Sequence, residues 1–336
     1  MKLVTFQAGG ESERPRVGVL LQDGRTVIDL QAAHQAATGA ENPSFADMLA
    51  FLDDFDRARE AAARTLERMG PGAPAGVALP LGEIRLLAPV PRPRSIRDCM
   101  VFRRHYIQAA RTFLRWRSPA LAALDRRLAA LFGRGLIGYP KVGYGLPIYY
   151  KSNTFSVVGP DAEVRWPRYT ERLDFELEFG VFLGRCGKDI PSGRAMGHVA
   201  GYCIFNDWSA RDIQMREMGG RLGPTKGKDF DTGNAMGPWL VTADEVPDPL
   251  GLAASVRVNG ETWADTSTRE MSYSFADLIA YISRDETLHP GEFVGSGTMP
   301  NGCGVELDRW VRPGDVVELE VERLGVLRNR VVRAAS

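Results

Sequence analysis

The run Asp174-Phe175-Glu176-Leu177-Glu178-Phe179-Gly180 sets the tightest limit on what this chain can fold into. It alternates acid with apolar residue at a period of two. As a strand it puts Asp174, Glu176 and Glu178 on one face, with Phe175, Leu177 and Phe179 on the other. Three carboxylates crowded on one face repel unless a cation neutralises them, and an all-oxygen set suits a hard ion such as Mg²⁺, Mn²⁺ or Ca²⁺. An acidic face can also simply meet water, and the period alone leaves both readings open.

A length of 336 residues allows one large domain with a smaller companion and a substantial buried core. Lys plus Arg equals Asp plus Glu at 42 each, so no net field draws nucleic acid or anionic lipid. The arginine-rich stretch from Arg92 to Arg117 is a local exception, expected to face solvent or substrate. Cys99, Cys186, Cys203 and Cys303 are widely spaced with no C-x-x-C pair, which argues against a zinc site or a disulfide framework and fits a reducing cytoplasm. The start, Met1-Lys2-Leu3-Val4-Thr5-Phe6, lacks the apolar run of a signal peptide, and no stretch reaches the roughly 20 apolar residues of a membrane span. The expectation is a soluble, cytoplasmic protein with neither nucleic-acid nor membrane partners.

Alternation near Leu3 and over Arg16–Leu21, with a hairpin turn at Asp23-Gly24, predicts a small N-terminal sheet. A helix is expected from near Ser44, with Asp47 three residues on as a capping-box relative, to Gly70; Pro71, Gly72, Pro74 and Pro80 then mark a linker. Pro89-Val90-Pro91-Arg92-Pro93 places a boundary that divides residues 1–90 from 91–336. Ser118-Pro119 opens a second helix with Leu121, Leu124, Leu128 and Leu131 on one stripe, stopped by Gly133. Beyond residue 150 short β-rich runs dominate, such as Val256–Val258 before Asn259-Gly260 and Val316–Val321 after Pro313-Gly314-Asp315, with one helix at Phe275–Arg284. The pattern is β-rich α+β, pointing to a β-roll or sandwich-like fold.

Two further constellations carry chemistry. Asn206-Asp207-Trp208-Ser209-Ala210-Arg211-Asp212 follows the apolar run Gly201–Phe205, so Asp207 ends a buried strand as a helix N-cap, a ligand or a catalytic group. Asp98 precedes His105 by seven residues, two helical turns, which would set both on one side of a helix. Gly219–Lys228 resembles a phosphate loop only superficially, because Asp229 stands where Ser or Thr is required. It reads as a mobile loop presenting Lys228 to an anionic group. Neither a G-x-S-x-G elbow nor a strand-linked G-x-G-x-x-G is present.

Together these pieces resemble the fumarylacetoacetate hydrolase family over about residues 92–333. The likeness is strongest at Leu173–Glu178 and Asn206–Gln214, with further matches at Gly223-Pro224-Thr225-Lys226-Gly227-Lys228, Gly295-Ser296-Gly297-Thr298 and Gly302-Cys303-Gly304-Val305-Glu306. The resemblance implies a mixed β-roll, with a small N-terminal α+β domain before it, and a homodimer. It implies a Mg²⁺ or Mn²⁺ ion (Ca²⁺ also admissible) on Asp98, Glu176, Glu178 and Asp207, with Thr232 at a metal-shell position. It assigns water activation to His105 and Glu306, catalytic contacts to Lys228, Gln214 and Arg211, with Lys228 and Gln214 donating to the developing oxyanion, and substrate binding to Tyr150 and Thr298. Met100 and Met218 stand where substrate-contacting tyrosines are expected, so that wall is more apolar and adaptable. Residues 115–145 have no counterpart in the likeness and are expected to form a lid, a pocket wall or a plain surface insertion. The activity implied is metal-dependent hydrolysis of a C–C bond in a β-diketone or acylpyruvate-like substrate. Decarboxylation, hydration or isomerisation of an oxo-acid at the same site, or a catalytically silent member binding a metabolite or partner, stand as alternatives.

Overall fold

The structure is a computed structural model, and it describes residues 1–9, 14–69, 74 and 76–333. The chain opens with β1 (Lys2–Gln7), β2 (Arg16–Leu20) and β3 (Thr26–Asp29). Asp23-Gly24 turns the chain between the last two, with Gly24 at φ 67°. Three helices follow: α1 (Leu30–Thr38), α2 (Met48–Asp53) and α3 (Phe55–Met69). Next come β4 (Ala78–Pro80), β5 (Arg85–Leu86) and β6 (Ile96–Cys99). A helical hairpin, α4 (Arg103–Arg117) and α5 (Pro119–Phe132), leads to β7 (Tyr149–Ser152), β8 (Val157–Val158), β9 (Glu163–Trp166), β10 (Leu173–Asp174) and β11 (Leu177–Leu183). After α6 (Ser192–Ala195) come β12 (Val199–Asp207), β13 (Ser209–Ala210), α7 (Arg211–Met218), β14 (Asn234–Thr242), β15 (Ala253–Val258) and β16 (Glu261–Ser267). The remainder is α8 (Phe275–Ile282), β17 (Phe293–Gly295), α9 (Gly304–Leu307), β18 (Val316–Val321) and β19 (Gly325–Arg333).

Twelve strands form one mixed sheet in the order β4-β3-β2-β1-β14-β12-β11-β17-β6-β7, with β5 added on β1 and β8 on β14. A five-stranded sheet, β16-β15-β18-β19-β9, packs beside it, and β10 pairs with β13 alone. This is the β-rich mixed architecture the sequence predicts. The N-terminal strands share the large sheet: Lys2 and Leu3 pair with Val241 and Leu240. Leu3, Phe45 and Phe51 also pack in one apolar cluster with Phe182, Phe205 and Phe293. At the centre, β11 and β12 are buried along their whole lengths, so both faces of the acid-apolar alternation lie inside the protein. Carboxylates there must be paired, protonated or bound to a cation.

Several local expectations meet the structure directly. Ser118 accepts from the Leu121 amide as N-cap of α5, and Gly133 ends that helix at φ 69°. Asn259-Gly260, at φ 53° and 80°, joins β15 to β16 as the turn type requires. Others are corrected. The helix expected from Ser44 is broken into a short 3₁₀ turn, α2 and α3, because Asp47 is itself an N-cap, accepting from the Ala50 amide. Gly70, Pro71 and Gly72 lie outside the described residues. The stretch from Asp98 to His105 is no helix: Asp98 sits on β6 and His105 in the first turn of α4. The leucine stripe of α5 is largely open, with Leu121, Leu124 and Leu131 exposed. The hairpin is pinned instead through buried Asp125, which accepts from Arg111 Nε at 2.8 Å and the Ile137 amide at 2.9 Å. At its other end Arg172 lies 3.9 Å from the Trp116 ring centre and 5.6 Å from that of Trp310.

Candidate metal centre

The site gathers where the large sheet's central strands reach β6 and the loop after β17. Asp98 comes from β6, Glu178 from β11 and Asp207 from the last position of β12. Asp207 is therefore no N-cap, since α7 begins four residues later. Carboxylate oxygens of these three buried acids all lie within 4.8 Å of one another. Glycines let the loop approach: a Cβ on Gly295 would stand 2.5 Å from Asp98 Oδ1, and one on Gly297, at φ 79°, would stand 2.1 Å from the Cys99 carbonyl. The Gly297 amide donates to Asp98 Oδ1 at 3.2 Å and the Thr298 hydroxyl to Glu178 Oε1 at 3.1 Å. Thr298, expected as a substrate contact, thus orients an acid of the cluster.

Glu176 stands beside these acids but faces cations. Its Oε1 takes Arg211 Nη1 at 2.7 Å and its Oε2 takes Lys228 Nζ, which also contacts Asp207 Oδ2. Lys228 is buried and ion-paired rather than displayed on a mobile loop, which corrects the expectation for Gly219–Lys228. Arg211 is buried too; its Nε donates to Asp174 at 2.8 Å and its Nη1 to Gln214 Oε1 at 2.9 Å. Asp174 in turn accepts the Gly304 and Val305 amides at 2.7 and 3.0 Å, fixing the short helix that carries Glu306. The tyrosine hydroxyl of Tyr150, on β7, donates to Asp207 Oδ2 at 2.5 Å.

Among the described residues, five buried carboxylates (Asp98, Asp174, Glu176, Glu178 and Asp207) thus meet two buried cations, Arg211 and Lys228. The imbalance shows in protonation. Burial drives Asp98 up to about 6 and Asp207 up to about 8, the latter even with Lys228 against it. Burial, then the neighbouring Asp98 carboxyl, pushes Glu178 well above the ordinary carboxylate range. For Glu176 burial acts in the same sense, but Arg211 and Lys228 outweigh it and hold the group well below that range. Glu178 Oε2 and Asp207 Oδ1 are buried with no hydrogen-bond partner. Oxygen-only donors, excess negative charge and two orphaned oxygens fit a hard divalent cation.

A histidine lies alongside. His105 Nδ1 is 3.2 Å from Glu306 Oε2, and its Nε2 is 3.9 Å from Glu176 Oε1. Cys303 completes a cluster that sequence reading noted only as part of a motif: its thiol donates to Glu306 Oε2 at 3.2 Å and lies 3.8 Å from His105 Nδ1. The signal available was Glu306 following Cys303 by three residues on a turn of helix. Met100 lies on the segment between β6 and α4, its carbonyl accepting from the Tyr139 hydroxyl. Met218 is exposed at the end of α7. The hydroxyl of Thr232, expected at a metal-shell position, accepts from the Arg165 amide on β9 at 2.9 Å.

Residues 139–332 match the family model described as fumarylacetoacetate (FAA) hydrolase, C-terminal. The human "Oxaloacetate tautomerase FAHD2A, mitochondrial" is 33% identical over 99% of this chain and 92% of its own length. The fumarylacetoacetate hydrolase of Exiguobacterium antarcticum superposes with a TM-score of 0.70 at 25% identity, covering 99% of this chain and all of its own. The maleylpyruvate hydrolase of Sphingobium sp. SYK-6, solved with manganese(II) and pyruvate, shares the fold at 24% identity and a TM-score of 0.69, with both chains fully covered. With more than half of its length matched by that family model and a 33% identical relative covered almost end to end, the chain belongs to the fumarylacetoacetate hydrolase family.

Proposed function

We propose that this protein is a divalent-metal-dependent hydrolase that cleaves a C–C bond in a 1,3-dicarbonyl or acylpyruvate-like acid. The observation that carries the reading is His105 held by Glu306 at 3.2 Å, with its other nitrogen turned toward the acidic cluster. Asp98, Glu178 and Asp207 would hold Mg²⁺ or Mn²⁺, with Glu176 next to them. When bound, such an ion polarises chelating oxygens and favours an enolate.

The chain's own residues supply the rest. Glu306 fixes the imidazole ring and stabilises it once protonated, so that His105 Nε2 takes a proton from water. Lys228 and Tyr150 both reach Asp207 Oδ2 and so hold that acid's orientation. Gln214 accepts from Arg211 Nη1, and the buried Arg211 in turn holds Glu176 beside the cluster.

Keto–enol isomerisation of an oxo-acid is the second reading, favoured by the near-full-length similarity to a protein named as an oxaloacetate tautomerase. There His105 would exchange a proton with carbon instead of water. A panel of acylpyruvates and oxaloacetate in ¹⁸O-labelled water separates the two. C–C scission with label in the new carboxylate supports hydrolysis, and enol–keto interconversion without label supports isomerisation. In either case His105→Ala should lower kcat about 10²- to 10⁴-fold while Mn²⁺ binding persists; undiminished turnover removes His105 from the mechanism.

A further inference from the structure

A second ligand set lies beside the carboxylate cluster, and its chemistry is different. His105 Nδ1, Cys303 Sγ and Glu306 Oε2 form a triangle with sides of 3.8 Å (S to N), 3.2 Å (N to O) and 3.2 Å (S to O). Metal–ligand bonds of about 2.3 Å to sulfur and about 2.0 Å to nitrogen and oxygen, set at tetrahedral angles, demand separations of about 3.3–3.6 Å. The triangle meets those separations to within a few tenths of an ångström. One imidazole, one thiol and one carboxylate suit a borderline transition ion rather than Mg²⁺ or Ca²⁺. A separate observation concerns Glu306, whose side chain is fully buried and whose Oε1 has no partner.

We infer that His105, Cys303 and Glu306 form a binding site for Zn²⁺ or a similar borderline divalent ion, distinct from the hard-metal centre and inhibitory when filled. The ion takes the place of the Cys303 thiol proton, which leaves to solvent, and it binds the Nδ1 lone pair of a neutral His105. A fourth position stays open for water or a substrate oxygen. The sequence carries no paired-cysteine zinc pattern because one ligand comes from α4 and two from Cys303 and the short helix after it, some 200 residues later, where Cys303 is bridged to Glu176. Inhibition rests on His105 being the base of the proposed reaction, since its ring would be captured and unable to cycle a proton. Binding does not depend on that.

The test uses the full chain in excess Mg²⁺, which leaves thiol ligands alone. One equivalent of Co²⁺ should produce a thiolate-to-cobalt charge-transfer band in the near ultraviolet, displaced by Zn²⁺. Cys303→Ser should abolish the band, whereas Cys186→Ser, at the exposed cysteine 3.9 Å from His289 Nδ1, should keep it. Circular dichroism and a melting curve establish that each variant is folded; if Cys303→Ser is not, loss of the band in His105→Ala carries the same point. No band in the native protein, or a band surviving in folded Cys303→Ser, overturns the site. Zn²⁺ should also inhibit turnover at least tenfold more effectively in the native protein than in Cys303→Ser, each scaled to its own zinc-free rate. A cobalt band without zinc inhibition upholds the site and removes His105 from the chemistry.

Discussion

The acidic cluster makes the metal-free protein pay for charge it cannot neutralise, and Asp98→Asn should reveal how much. Burial holds Asp98 at about 6 in the folded protein against 3.8 for an ordinary aspartate. Between those two values the folded state binds the extra proton, so stability falls as pH rises through that window and stays lowered above it. That displacement is worth about 3 kcal/mol at pH 7.5. An unfolding entropy of about 2.1 cal/mol/K per residue, over 336 residues, converts this to a Tm about 4 °C higher for Asp98→Asn in chelator. At pH 5 most of the folded protein keeps this carboxyl protonated, so the gap should narrow to about half. Adding Mn²⁺ should reverse the order, because the native protein gains ligand binding energy that the variant has lost. Calorimetric melts at both pH values, with and without Mn²⁺, decide it. An Asp98→Asn protein that melts lower than native in chelator at pH 7.5 would show that the carboxylate is already compensated and refute the argument.

Arg211→Met should be destabilising by about 3–5 kcal/mol, because it strands the buried Asp174 and Glu176 carboxylates; a Tm within 1 °C of native would contradict that account. Gly304→Ala places a Cβ 2.2 Å from the Arg309 carbonyl and 2.5 Å from Asp174 Oδ1, so α9 must shift and carry Glu306 with it. It should cost about 1–3 kcal/mol in a denaturant melt and lower kcat with little change in KM.

Much of the site is legible because its acids sit on locally patterned strands. Glu176, Glu178 and Asp207 stand out through period-two alternation and the end of an apolar run, whereas Gly295 and Gly297 enter only through the family resemblance. What the pattern conceals is partnership. Nothing in the period of Asp174–Gly180 distinguishes Glu176, committed to Arg211 and Lys228, from Glu178, which lacks any buried cation of its own. That difference arises from residues more than thirty positions away. The pairing of β1 with β14 spans most of the chain, so no local window could show that the N-terminal strands extend the central sheet. Helix α1 was missed although Asp29 and Gly39 bracket it as start and stop signals, because the residues between them carry little apolar periodicity.

The latch of Arg172 between Trp116 and Trp310 has a practical corollary. Trp116 occupies the final turn of the same rod whose opening turn bears His105. Indole emission is sensitive to an adjacent guanidinium, so native fluorescence becomes a label-free gauge of whether that rod is seated. Any ligand, ion or substitution that lifts it would announce itself optically before a single turnover is measured.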